Sequence, residues 1–250
     1  MTDLSAKTLS QNKDAKNYIE NYWSKRADSF AELRRQELHS EKYQLWQQEL
    51  TSKLPTAKKL RILDVGCGAG FFSILLAHSG HQLTGIDLTP AMIAQARELA
   101  ELEAVNCTFM TADAEQLPFA EGSFDVVIAR NLTWNLPDPT QAYRDWMRVL
   151  APGGMLLNYD AEYAKDHHQQ KLPTLNAHAN LSQTLLEECH NIYHMLPISI
   201  YERPHWDLEL LRSLGNCNCS VDQSVGQRLY RQEDIFYIPM PMFCVQAVKL

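Results

Sequence analysis

Four acids and a glycine cluster carry the chemistry that this chain could do. Asp64 ends an apolar run, residues 60–65, and Gly66-Cys67-Gly68-Ala69-Gly70 follows it directly. Asp87 ends a second short run, about twenty residues past the first glycine, where a doubly wound fold places a carboxylate for a ribose hydroxyl pair. Asp113 follows a third run and leads into Ala114-Glu115, and Asp160 follows a later one. Glycines at a sharp turn let a ligand approach backbone that a Cβ would screen. Asp160 is a candidate general base if burial raises its pKa. His167 and His168 come next, since histidine titrates near neutral pH.

Strands and helices must hold these groups in place. Residues 60–65 read as a strand, 71–77 as a helix whose first turn offers unpaired N–H groups and a positive dipole end, and 82–86 as a second strand. Thr89 is a good N-cap and Pro90 suits the first position of a helix over 91–102, with Met92, Ala96 and Leu99 inward. A third strand covers 107–110. Residues 124–129 form a continuous apolar run, the pattern of a fully buried parallel strand. Ligands in open α/β sheets sit beyond the carboxyl ends of strands, so Arg130, Asn131, Leu132 and Trp134 face the site. Trp134 is either a wall of that site or a core residue. Pro139 opens another helix, with Tyr143, Trp146, Met147 and Leu150 at core spacing. Pro152-Gly153-Gly154 then turns the chain into a strand over 155–159.

Glycine spacing separates cofactor classes. A dinucleotide fingerprint needs its third glycine at position 71, which is Phe, and no Tyr-x-x-x-Lys pair accompanies it, so a nicotinamide oxidoreductase is disfavoured. Asp64-x-Gly66-x-Gly68-x-Gly70 instead resembles the first motif of class I S-adenosylmethionine-dependent methyltransferases. Asp113 with Leu117-Pro118-Phe119 resembles that family's adenine loop. Arg148-Val149-Leu150-x-Pro152-Gly153-Gly154 resembles its later turn. The likeness is strong over residues 60–160 and weaker outside.

The resemblance implies S-adenosyl-L-methionine as cofactor, S-adenosyl-L-homocysteine as product, and methyl transfer to a small-molecule acceptor by in-line displacement. It implies an α/β, Rossmann-like, doubly wound seven-stranded sheet, mostly parallel with an antiparallel last strand. It places Asp64, Gly66, Cys67, Gly68 and Gly70 at the cofactor, with Asp87, Leu88 and Met92 along the nucleoside. Asp113, Ala114 and Glu115 would meet the adenine, and Arg130, Asn131 and Leu132 would border the methionine part. Tyr22 and Arg26 belong to an aromatic–Arg–Phe cluster on an N-terminal helix that covers the site. Trp134 and Tyr159 would stand beside the acceptor.

Composition bounds the rest. At 250 residues and 45% hydrophobic, the chain suits one α/β domain with embellishments. A net charge of −7 argues against a nucleic-acid surface. No run approaches the roughly 20 apolar residues of a membrane span. Residues 1–17 lack a signal-peptide core, and the six cysteines are scattered, so a cytoplasmic protein with reduced thiols is expected. We divide the chain into an N-terminal helical cap, 1–54, a cofactor-binding core, 55–160, a helical lid insertion, 161–205, and a completion of the sheet, 206–250. Within these, residues 1–14 are expected to fray, 16–50 to form an amphipathic helix, 181–195 and 206–214 to be helical, and 217–225 and 242–250 to be strands. Cys217 and Cys219 could bind a metalloid with Cys189, His190, His194 or Cys244, but strand alternation makes them a thiol pair on one face of a sheet, and no metal is expected. A macromolecular acceptor stays open beside the small-molecule one, as does a non-catalytic cofactor-binding subunit that serves a partner. Monomer and homodimer both remain open.

Overall fold

The computed structural model describes residues 2–56, 59–163, 181–238 and 240–250. Seven strands form one sheet: β1 Arg61–Val65, β2 Gln82–Asp87, β3 Cys107–Thr111, β4 Phe124–Arg130, β5 Leu150–Asp160, β6 Cys217–Asp222 and β7 Phe243–Lys249. Their order is β3-β2-β1-β4-β5-β7-β6. The first five run parallel, and β7 is antiparallel to both β5 and β6. The order reverses between β1 and β4, where the crevice of a doubly wound sheet opens. Val65 pairs with Ile86 on one side and Ala129 on the other, so the loops after β1, β2 and β4 emerge together.

Helices α1 Thr2–Leu38, α2 Glu41–Lys53, α3 Phe71–His78 and α4 Pro90–Leu102 precede the middle of the sheet. Helices α5 Pro139–Val149, α6 Gln183–Met195, α7 His205–Leu214 and α8 Val225–Leu229 follow. The expected single N-terminal helix is two, because Ser40 adopts an extended conformation and its side chain accepts from the Lys42 amide at the start of α2. Helix α1 also begins at Thr2, where fraying was expected.

Each face of the sheet has its own core. Trp46 of α2, Phe72 of α3 and Tyr159 of β5 pack edge to face on one side, with centroids 4.8–5.9 Å apart. Tyr143 and Trp146 of α5 fill the other, and the Trp146 indole N–H donates to the Ala114 carbonyl at 2.9 Å. Each such aromatic removes about 150–250 Å² from water, or roughly 4–6 kcal/mol at about 25 cal/mol per Å². Tyr159 therefore belongs to the core and not beside an acceptor: it is completely buried under α2 and α3. Strand β5 starts at Leu150, directly after α5, and takes in the Gly153-Gly154 turn, with a register shift opposite Phe124 and Val126.

Cys217 and Cys219 share one face, as alternation requires, and lie half-buried against α7, donating to the Leu211 and Leu208 carbonyls. No cluster of three or more potential metal ligands exists among the described residues. No helix among them is long and apolar enough to cross a membrane.

Candidate active site

The loop after β1 is shaped by what surrounds it. Asp64 lines the cavity, but its bonds run to the start of α3. Its carboxylate accepts from the Ser73 hydroxyl at 2.7 Å and the Ser73 amide at 3.0 Å, tying the strand to the first turn of α3. Burial pushes its pKa up to about 7, against the pull of those two bonds. Gly66 and Gly68 have φ of +65° and +52°, and both line a cavity of about 230 Å³. A Cβ on Gly66 would stand 2.5 Å from Leu132 Cδ1, and one on Gly68 3.1 Å from Phe30 Cε1. Cys67 lines the cavity beside them. Gly70 does not: its side faces Phe109 and Ala96, so it serves the packing of α3 against β3 and α4 rather than a ligand.

Asp87 closes β2 and faces the cavity. One of its oxygens accepts from the Gly68 amide at 3.0 Å and the other from the Thr89 amide at 2.9 Å. Burial raises its pKa, and the two amides oppose the rise. A carboxylate has about four acceptor sites, so this one, fixed in place, still has capacity for hydroxyl donors. Thr89 occupies the N-cap of α4, but its side chain makes no cap to the helix. Leu88 and Met92 extend the wall towards Asp113 and Ala114. Asp113 Oδ1 accepts from the Glu115 amide at 2.9 Å and Oδ2 from Lys16 Nζ at 2.7 Å. Glu115 turns away from the cavity, paired with Lys16 and bound to the Asp138 amide, so its part is to hold the loop.

Helix α1 lies across the whole crevice. Tyr22, Arg26, Phe30 and Arg34, at steps of four, line the cavity with Lys16 at one end. At the other end Arg130, the last residue of β4, reaches Glu37 and the Tyr230 hydroxyl and lies over the rings of Trp46 and Phe71. Asn131 follows with φ +55°, a left-handed conformation that asparagine tolerates better than most residues. Its amide donates to the Tyr159 carbonyl, its carbonyl accepts from the Trp134 indole at 2.8 Å, and its Oδ1 accepts from the Tyr163 hydroxyl at 2.8 Å.

Trp134, Tyr163 and Tyr193 make an aromatic compartment, the Trp134 ring 4.8 Å from Tyr193 and 5.6 Å from Tyr163. Trp134 is thus both wall and core. Cys189, Phe236 and Met240 close the compartment. Lys16, Arg34, Tyr163 and Tyr193 are site residues that the sequence did not single out. Arg34 was accessible to it, as the next step of the Tyr22–Arg26–Phe30 stripe; nothing local marks the other three.

Asp160 is not in the cavity. It is completely buried, accepts from Arg203 Nη1 at 2.8 Å and from the Trp134 amide at 3.1 Å, and so holds the back of that wall. Burial raises its pKa while the Arg203 guanidinium opposes the rise. The expectation of a general base facing an acceptor is therefore corrected for Asp160. His167 and His168 lie outside the described residues. Among the described residues that line the cavity, the carboxylates are Asp64, Asp87 and Asp113, and no histidine joins them.

Residues 63–158 match the methyltransferase domain family. Ubiquinone biosynthesis O-methyltransferase of Xanthomonas oryzae pv. oryzae is 39% identical over 97 residues, 38% of this chain and 41% of the relative. The enzyme of the same name from Coxiella burnetii is 34% identical over 101 residues, 40% of this chain and 43% of the relative. The chain thus spans about two-fifths of the length of these curated relatives. Among solved structures, a possible histamine N-methyltransferase from Thermotoga maritima superposes with a TM-score of 0.60 at 15% identity, over 93% of this chain and 100% of that one.

Residues 63–158 thus carry the match to the methyltransferase domain family, and the fold built around them is the one that class I S-adenosylmethionine-dependent methyltransferases share. The methyl donor that goes with this class is S-adenosylmethionine. The residues present suit it. Asp113 and Asp87 offer acceptors at the ends of adjacent strands, and Gly66 and Gly68 leave backbone open between them. Beyond them Arg26 Nε and Nη1 and Arg34 Nε are buried without a hydrogen-bond partner among the described residues, a fit for a carboxylate.

Proposed function

We propose that the protein transfers the methyl group of S-adenosylmethionine to a small-molecule acceptor. The observation that carries this reading is one continuous cavity. It runs from Asp113 past Asp87 and the glycine loop to Trp134, Tyr163 and Tyr193, with α1 across it. Bound there, the cofactor supplies an electrophilic sulfonium methyl for in-line attack. Asp87, Leu88, Met92, Asp113 and Ala114 orient the nucleoside, and Gly66, Cys67, Gly68, Asn131 and Leu132 border the remainder. Tyr22, Arg26 and Phe30 exclude water from above. The aromatic compartment orients the acceptor.

No carboxylate or imidazole faces that compartment among the described residues, and burial carries the Tyr163 and Tyr193 hydroxyls well above their ordinary pKa. The chain's contribution is then positioning and desolvation, which together can supply about 7–11 kcal/mol. Oxygen as the accepting atom is supported by the relatives' name alone, and the family match stops at residue 158, before Tyr163 and α6.

Calorimetry with S-adenosylmethionine, S-adenosylhomocysteine and NAD, on wild type and Asp87→Ala, tests the reading. Micromolar binding of the first two, weakened by the substitution, followed by transfer of labelled methyl to an acceptor, is the expected result. Folded, ligand-free protein that binds neither would overturn it.

A further inference from the structure

The buried guanidiniums along the cavity outnumber the carboxylates bonded to them. Three guanidiniums line it, Arg26, Arg34 and Arg130. One carboxylate, Glu37, serves both Arg130, at 2.7 Å, and Arg34, at 2.6 Å. Arg26 is only 3% exposed, and its Nε and Nη1 have no hydrogen-bond partner among the described residues. None of the nearby acids is bonded to Arg26: Asp113 pairs with Lys16, Asp87 accepts from two amides, Asp64 accepts from Ser73, and Glu188 of α6 pairs through Oε1 with Lys25 at 2.6 Å, its Oε2 buried without a partner among the described residues. Among the described residues, the three guanidiniums thus share one bonded carboxylate, and Arg26 Nε and Nη1 and Arg34 Nε stay buried without a partner.

An arginine does not shed its proton when buried, and an unpaired buried charge weighs against the fold. A ligand anion removes that burden. On the reading proposed above, the cofactor brings one carboxylate, and its ammonium and sulfonium groups relieve neither arginine. Arg26 and Arg34 stand two turns apart on α1, about 12 Å along its axis. Phe30 stands between them and the Arg34 guanidinium lies 4.8 Å from its ring centre. That spacing leaves room for each to take a carboxylate of its own.

We infer that the acceptor is itself an organic acid, an anionic group on an apolar body sized for the Trp134–Tyr163–Tyr193 compartment. One member of the Arg26/Arg34 pair meets the cofactor's carboxylate and the other meets the acceptor's. This rests on the methyl-transfer reading and names its substrate class.

The test is calorimetry on protein saturated with S-adenosylhomocysteine. The probes are 3,4-dihydroxybenzoate, 4-hydroxycinnamate and 3-hydroxydecanoate, each against its carboxamide. At least one acid is expected to bind about 30-fold or more tightly than its amide, the scale of a buried charge pair. Arg26→Gln and Arg34→Gln are then expected to separate. One loses S-adenosylhomocysteine affinity by a similar factor; the other keeps it within about twofold, as distant sites do, and loses the acid preference. Thermal melting controls for folding, and Arg26→Gln is expected to melt no lower than wild type. If S-adenosylhomocysteine binds but every acid equals its amide, the acid inference is overturned while methyl transfer stands. If both variants lose only S-adenosylhomocysteine, the division of roles is overturned. If S-adenosylhomocysteine fails to bind folded wild type, the underlying reading has failed first.

Discussion

Arg130 and Glu37 meet as a two-pronged ion pair, Nη2 to Oε1 at 2.7 Å and Nη1 to Oε2 at 3.1 Å, with Glu37 fully buried. The pair joins the end of β4 to the last turn of α1, and Arg34 donates to the same carboxylate. The sharing predicts an asymmetry. Glu37→Gln leaves two guanidiniums facing each other, whereas Arg130→Gln leaves Glu37 neutralised by Arg34. Removing one member of a buried pair costs about 3–5 kcal/mol. Urea unfolding is expected to put Glu37→Gln at the upper end of that range and Arg130→Gln at or below the lower. Equal losses would contradict the shared-carboxylate account.

Gly66 and Gly80 both have positive φ, +65° and +88°, but differ in what a Cβ would meet: Leu132 Cδ1 at 2.5 Å for one, open space for the other. Gly80→Ala is expected to cost about 1–2 kcal/mol from backbone strain and to leave cofactor affinity unchanged. Gly66→Ala carries the same strain and also drives Leu132 from its place in the cavity wall, so S-adenosylhomocysteine affinity should fall about tenfold or more. That follows from the sensitivity of a positioned site to small displacements. Titration of both variants against wild type checks this.

Asp160 and Arg203 lie 2.8 Å apart with side chains 0% and 3% exposed. Asp160→Asn leaves Arg203 with Asp207 alone and is expected to destabilise the fold by about 3–5 kcal/mol. The pH dependence of methyl transfer by the surviving folded protein should keep its shape. Disappearance of an acidic limb from that profile would return Asp160 to the role of base.

Asp64 supplies a pH dependence of known sign. Its folded pKa is raised from 3.8 to about 7 by burial. An acid whose pKa is raised on folding stabilises most when protonated, and that contribution is lost as pH climbs from the unfolded value through the folded one. The stability of wild type minus that of Asp64→Asn, in cofactor-free protein, is expected to fall between pH 5 and 8. The fall should be roughly 3 kcal/mol at most. A difference that rises over that window would mean that Asp64 is ionised throughout, held by Ser73.

Local chemistry made much of this protein legible in its sequence. The glycine loop, Asp87 and Asp113 at strand ends, the buried run of β4 and the Asp138-Pro139 start of α5 each follow from rules that act over a few residues. The Asp138 cap is seen in its bond from the Gln141 amide at 3.0 Å. Their order along the chain also implied the sheet, because parallel strands joined by helices have few ways to wind.

Only the tertiary structure decided which side chains reach the cavity. Strand residues alternate in direction, so Tyr159 goes to the α2–α3 core and Asp160 to Arg203, and neither points along the strand into the site. The residues that wall the cavity from above come from far away in sequence. Lys16 meets Asp113 across 97 residues and Arg130 meets Glu37 across 93. No periodicity within α1 states which partner its charged face will find. The buried Nε and Nη1 of Arg26 belong to the same class of fact: the residue type was plain in the sequence, but that these atoms have no hydrogen-bond partner among the described residues is seen only once α1 has closed over the sheet.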